Sequence, residues 1–189
     1  KQKLPDPVAR TKLWFLEHWP VLGTLNLRKH YEERILAANS NITIVTPYFL
    51  PHRWLTRALA SAAARGVQID VLLPKETDPK MGTIANYLNA YRFSSRQMRF
   101  YLSPEMNHAK ALLIDDAEGM IGSPNIDALS FDHNTEVSAV FQKRSMVRDL
   151  RNIIEKWKAG AIPFERLAWK PRWYHTPLTV VLDLLQPIL

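Results

Sequence analysis

Between Asn107 and Glu136 the chain reads NHAKALLIDDAEGMIGSPNIDALSFDHNTE, and the rest of the sequence is organised around that succession. The segment HAKALLID is apolar and contains neither Gly nor Pro, which predicts a half-buried β-strand. Strand side chains alternate between faces, so His108 and Lys110 are expected on one side with Leu112 and Ile114. Asp115 falls on the other side and is expected to anchor the strand's end. A second short strand, GMIGS, delivers Ser123 and then Asn125, with glycine permitting a tight backbone there. Glu136 stands at the start of a third strand, TEVSAVF.

These residue types suit an anionic phosphoester. Lys110 is a compact cation, and His108 serves as nucleophile or proton donor near neutral pH. The Ser123 hydroxyl and Asn125 amide are placed to hold phosphoryl oxygens as charge develops, and Glu136 to orient a histidine ring.

The spacing H-x-K, four residues, D, six residues, G-S-x-N, then an acid eleven residues later resembles the HKD signature of the phospholipase D superfamily. The words TPYFLP at 46–51 and NIDALSFDHNTE at 125–136, with a basic aromatic tail, are most similar to the second half of a bacterial cardiolipin synthase. The likeness covers residues 28–160 and, more loosely, the tail. It implies an α/β fold: a phospholipase D-like half with a mixed, mostly parallel β-sheet flanked by helices on both faces. It also implies that two HKD copies meet at a pseudo-twofold axis. One histidine attacks phosphorus to form a phosphohistidine; its counterpart protonates the leaving alcohol and then deprotonates the acceptor. On this resemblance His108, Lys110 and Asp115 are the motif residues, Ser123 and Asn125 bind the phosphate, and Glu136 orients histidine. Asp115 is assigned a structural part within the motif. Tyr48 and Phe49, in TPYFLP, are candidates for lining the substrate channel. No metal and no cofactor are expected. The substrate would be phosphatidylglycerol, giving cardiolipin and glycerol.

Elsewhere the sequence reads as alternating helices and strands. Helical periodicity covers 28–39, the stretch after His52, 80–93 and 144–158, with Gly66 as a helix stop. Strands are expected over 41–51, 67–74 and 98–103, an order that argues for a sheet covered on both faces. Residues 1–27 carry three prolines and read as a linker or arm, residues 28–160 as the domain, and 161–189 as a basic, aromatic tail. In that tail TPLTVVLDLLQPIL predicts an apolar helix from about Thr176, suited to lie among lipid headgroups. His30 and His133 read as surface residues rather than catalysts, and Lys75 as a solvated rim residue.

The 189 residues, 47% hydrophobic and 23% charged, fit one globular domain, and the net charge of +7 favours anionic partners. Absence of cysteine excludes disulfides and thiolate metal sites, and no run of about twenty apolar residues is present to span a bilayer. The start at Lys1 and the single HKD copy predict a piece of a longer protein. Expected partners are a phospholipid substrate, an anionic membrane surface, and a second HKD half in the same chain or a symmetric dimer mate. The expected location is the bacterial cytoplasmic membrane, by peripheral association. Two other readings remain open at this level: a homodimeric phosphodiesterase or nuclease acting on nucleic acid, and a non-catalytic half that docks on a membrane or partner.

Overall fold

The computed structural model describes residues 12–166 and 168–173, and the helix expected from Thr176 lies outside them. The chain forms β1 (Leu13–His18), α1 (Asn26–Ala37), β2 (Asn41–Val45), α2 (Arg53–Ala64), β3 (Gln68–Pro74) and α3 (Lys80–Phe93). It continues with β4 (Met98–Ser103), β5 (Ala111–Ile114), β6 (Glu118–Gly122), β7 (Glu136–Phe141), α4 (Arg144–Ala159) and β8 (Ile162–Pro163). A 3-10 turn, Pro20–Leu22, follows β1, and a π-helical turn, Leu129–His133, precedes β7.

The eight strands of the described residues join one sheet in the order β1-β7-β6-β5-β2-β3-β4-β8. The α/β class and the mixed sheet are as expected, but the sheet is mostly antiparallel rather than mostly parallel. Among the described strands only β2–β3 and β3–β4 are parallel, whereas β1–β7, β7–β6, β6–β5, β5–β2 and β4–β8 are antiparallel. Connection chemistry explains the difference. A parallel pair needs a crossover of a dozen or more residues, and α2 and α3 are the crossovers that link β2, β3 and β4. The chain then returns to β5 without a helix, and Asp115–Ala117 close a tight β5–β6 hairpin. Asp115 and Asp116 both take left-handed backbone there, at φ 51 and 50, a conformation that aspartate tolerates better than most residues.

Both faces are covered. Ile42, Ile44, Ile69, Val71, Leu112 and Ile114 point into the larger core against α1 and α2. Val45, Leu72, Ala111, Leu113 and Phe141 point to the other side, under Val147, Leu150 and Ile154 of α4. Gly66 stands just past α2 with φ 92, as a helix stop requires. The segment 1–27, read from sequence as a linker or arm, contains a strand that closes the sheet: Leu13–His18 run antiparallel to Phe141–Glu136. Trp169 of the tail packs its ring on Tyr87 and Tyr91 of α3, at 5.5 and 6.1 Å. Among the described residues no helix is long and apolar enough to cross a membrane.

Asp115 ties the β5–β6 turn to the α1–β2 connection. Its carboxylate accepts hydrogen bonds from the backbone N–H of Asn39, Ser40 and Asn41 and from the Ser40 hydroxyl, at 2.7–3.1 Å. Burial opposes its charge, but the N–H groups of Ser40, Asn39 and Asn41 outweigh it and hold the carboxyl below its ordinary range. Asp115→Asn is therefore expected to cost about 1–2 kcal/mol near neutral pH, allowing for the solvent this turn still meets. A depressed folded-state pKa adds stability above the ordinary carboxylate range and loses it as acid titrates the folded form. Chemical denaturation from neutral to acid pH should show the wild-type advantage shrinking; a gap that grows in acid would contradict this anchor.

Candidate active site

The parallel strands β2, β3 and β4 end on the same edge of the sheet where β1 ends and β7 begins, because His18 lies opposite Glu136 in the register. The antiparallel β5 starts there, with Ala111 paired to Val45 and to Ile121. Loops 46–52, 104–110 and 123–135 consequently converge on one edge. Ligand sites of open α/β sheets form at such carboxyl ends.

Regular pairing of β5 begins at Ala111, so His108 and Lys110 stand in the approach to the strand rather than within it. His108 is exposed. Lys110 is half-buried and donates from Nζ to the His108 carbonyl at 2.9 Å, which folds the approach segment on itself. Burial lowers the proton affinity of Lys110, and the nearby Glu136 and Asp127 carboxylates counter that only in part.

The buried Glu136 carboxylate accepts a hydrogen bond from the Ser123 hydroxyl. Ser123 is fixed further by the Val137 N–H donating to its Oγ at 3.1 Å, and its own N–H donates to the Val137 carbonyl. That approach needs glycine at the preceding position. A Cβ on Gly122 would stand 2.5 Å from the Val137 carbonyl oxygen and 2.8 Å from the Ser138 Cα. Both are backbone atoms that cannot swing aside. Glu136 therefore meets a hydroxyl within its own chain, with Lys110 and the buried Tyr31 phenol in its field. Burial first, and Glu136 second, push the Tyr31 pKa up and keep that phenol protonated.

Asn125 is held at its backbone, where its N–H donates to the Ser130 Oγ at 3.0 Å. Its side-chain Oδ1 is buried without a donor among the described residues, an acceptor left for a ligand or for a rotated amide. Asp127 and Ser130 organise this loop, since the Asp127 carboxylate accepts the Ser130 N–H at 2.8 Å. Burial raises the Asp127 pKa, and Glu136 adds to that rise against the hydrogen bonds of Ser130 and Asn125. Neither Asp127 nor Ser130 was among the residues expected from sequence. Their signal is local: an aspartate three residues ahead of a serine, at a turn entry, is a side-chain-to-backbone capping pattern.

The structure thus gathers Lys110, Ser123, Asn125 and Glu136, with Asp127, and leaves His108 exposed at the same edge. Asp115 lies at the other end of β5. The channel expectation fails for Phe49, which is wholly buried and packs edge-on against Phe93 and Phe100. The cause is a clamp from α3. Asn86 Oδ1 accepts the Phe49 N–H, its Nδ2 donates to the Pro47 carbonyl, and Asn89 donates to the Phe49 carbonyl, each at 2.8 Å. Tyr48 is half-buried and gives its hydroxyl to the Asp78 carbonyl. His52, read from sequence as opening a helix, is buried against Asp132, 2.7 Å away.

From Lys110 and Ser123 an open groove runs over the α4 side of β1, β7 and β6, walled by Phe15, Ile121, Val137, Ile153 and Trp157. One end is cationic and hydroxylic, while the rest is apolar. Such a groove suits a molecule with an anionic head and an apolar body.

A family model described as cardiolipin synthase, PLD-like domain matches residues 31–158. Cardiolipin synthase 1 of Staphylococcus epidermidis is 30% identical over 138 residues, which are 72% of this chain and 28% of that protein. Cardiolipin synthase A of Pseudomonas putida is 32% identical over 125 residues, 66% of this chain and 26% of that protein. The chain spans less than a third of the length of these curated relatives. Among solved structures, the phosphatidylserine synthase of Haemophilus influenzae superposes with a TM-score of 0.74 at 18% identity, covering 94% of this chain and 48% of that one. Nuc of Salmonella typhimurium, a phospholipase D family member, superposes with a TM-score of 0.65 at 16% identity, covering 81% of this chain and 99% of its own. At such identities the likeness is one of fold.

Proposed function

This chain belongs to the cardiolipin synthase, PLD-like domain family, and from that premise we propose that it supplies one half of a phosphatidyltransferase site acting on phospholipid phosphodiesters. The observation that carries the reading is a half-buried lysine and a carboxylate-bound serine at the mouth of an apolar groove. A phosphodiester between an apolar tail and a polar alcohol has the matching polarity.

In this reading a ring nitrogen of His108 attacks phosphorus, and the bond from phosphorus to the leaving alcohol's oxygen breaks. A histidine from a second HKD half, in the same protein or a symmetric mate, gives that oxygen its proton. The same histidine then takes the proton of an acceptor alcohol, whose oxygen attacks phosphorus and releases His108. Lys110 holds the non-bridging oxygens; once Glu136 takes a histidine N–H in the assembled site, Ser123 turns its hydroxyl to them and a rotated Asn125 amide offers its N–H. With phosphatidylglycerol as donor and acceptor the products are cardiolipin and glycerol. Covalent catalysis divides one difficult displacement into two easier ones. The charge on phosphate is met by nitrogen cations and neutral donors, so turnover requires no divalent ion.

The test is to give the complete protein phosphatidylglycerol vesicles in the presence of EDTA. Cardiolipin and glycerol are expected in equal amounts, with an acid-labile phosphoenzyme in quenched samples. Activity that vanishes with EDTA and returns on adding a divalent ion would overturn the metal-free chemistry. Cleavage of nucleic acid without lipid turnover would overturn the substrate.

A further inference from the structure

The turn between β1 and α1 exposes more apolar surface than its length explains. Trp19 and Thr24 exchange backbone hydrogen bonds at 2.9 and 3.0 Å, and Pro20–Leu22 make a single 3-10 turn between them. Gly23, at φ 76, lets the chain fold back with the tip standing outward. On this tip Val21 is 74% exposed, Leu22 66% and Trp19 41%. The π-helical turn packs beside it and adds Leu129, 61% exposed. Isolated apolar residues at a surface need no explanation, but four around one protruding turn do.

Cations follow the tip in the chain. Arg28 and Lys29 lie in the first turn of α1, and Arg28 is over the Trp54 ring at 5.4 Å. Arg53, exposed, opens α2 beside Trp54. The carboxylate of the π-helical turn, Asp132, is engaged by His52. Aliphatic residues on a tip, an indole at its base and basic residues behind are the components of an interfacial anchor on an anionic bilayer. A separate protein partner is the poorer occupant, and coverage by the second HKD half that meets this edge is an outcome of the labelling experiment. Specific interfaces bury about 800 Å² per side on complementary surfaces, and one convex turn offers little of that.

We propose that the Trp19–Leu22 turn, with Leu129, inserts into an anionic phospholipid surface. Its position serves the site. β1 delivers the turn at the edge where Glu136 begins β7, and the same π-helical turn carries Ser130, which holds Asn125. A bilayer meeting this tip therefore lies alongside the loops of the candidate site. The proposal rests on the phospholipid reading for the choice of occupant. It differs from the sequence expectation, which placed membrane contact in residues 161–189.

The chain has no cysteine, so Val21→Cys takes a single environment-sensitive fluorophore, with Arg96→Cys at the opposite end of the sheet as control. Vesicles rich in phosphatidylglycerol should shift the label at position 21 to the blue and quench it when their acyl chains are brominated, leaving the label at position 96 unchanged. In the full chain without a label, Val21→Ser with Leu22→Ser should weaken vesicle partition by at least about tenfold, as expected for withdrawing two aliphatic side chains from hydrocarbon. Vesicle binding that leaves the label on the turn unquenched would overturn the proposal. So would a turn label already shielded from aqueous iodide before vesicles are added, because a protein surface would then cover the turn. Turnover is measured separately on a dispersed short-chain phosphatidylglycerol. Quenching without turnover would uphold the anchor and sink the transferase reading; turnover without quenching would do the reverse.

Discussion

Replacing His108 with Ala in the complete protein should lower turnover by on the order of 10⁴-fold while leaving the fold intact. The two halves of that expectation have separate causes. His108 is exposed in the approach to β5, so its ring contributes little burial. The contact made there by Lys110 is to the backbone carbonyl, which alanine retains. Thermal unfolding should therefore stay within about 0.5 kcal/mol of the parent, the usual range for surface substitutions. Turnover, in contrast, loses the nucleophile of the proposed mechanism. A positioned proton donor alone is worth about 10²–10⁴, and loss of the covalent route adds to that. Activity within about tenfold of the parent would remove His108 from the mechanism.

The largest effect on stability is expected away from the site, at Glu118. This buried carboxylate begins β6, at the opposite end of the sheet from Ser123. It takes two hydrogen bonds from Arg34, at 2.6 and 2.8 Å, and one from Gln142 at 2.6 Å, with His30 Nε2 3.0 Å away. α1, β6 and the end of β7 thus share one charged node. Removing one member of a buried ion pair strands the rest and costs about 3–5 kcal/mol, equivalent to roughly 6–20 °C in a chain of this size. Glu118→Ala should show that loss in a melting experiment, with turnover of the folded fraction unchanged. Burial works against the carboxylate's charge, but His30, Arg34 and Gln142 outweigh it and hold the pKa below the ordinary value. The node's contribution is therefore full above the ordinary carboxylate range and falls away as acid titrates the folded form. A melting temperature within about 2 °C of the parent near neutral pH would show that the node is not the tie described.

Local elements were legible because their signals are local. The helix expected over 80–93 and the strand over 98–103 coincide with α3 and β4, since apolar period and flanking breakers lie inside each segment. The helix expected over 144–158 is α4, with Val147, Leu150 and Ile154 on its buried stripe. Gly122 was legible too, although the contact that demands it comes from Val137, on the neighbouring strand.

Sheet direction was not legible, because strand order depends on how each connection returns. The mostly parallel sheet expected at that level holds only across the two helical crossovers that precede β4. The helix-free return to β5 and the Asp115–Asp116 turn decided otherwise. β1 was hidden for a related reason. LWFLEH is a short edge strand near prolines, and its identity rests on pairing with β7, more than a hundred residues away.

The site divides along the same line. Sequence spacing alone selected His108, Lys110, Ser123, Asn125 and Glu136, because the motif is a short chain segment whose order survives any fold. Tertiary structure alone put Ser123 against Glu136 and brought Asp127 and Tyr31 into the same field. It buried Phe49 under the α3 asparagines and raised Trp19, Val21 and Leu22 beside the site. Backbone conformation and amphipathic period are properties of neighbours in the chain. Burial, charge and exposure are set by whichever distant segment packs alongside, and no local pattern encodes that.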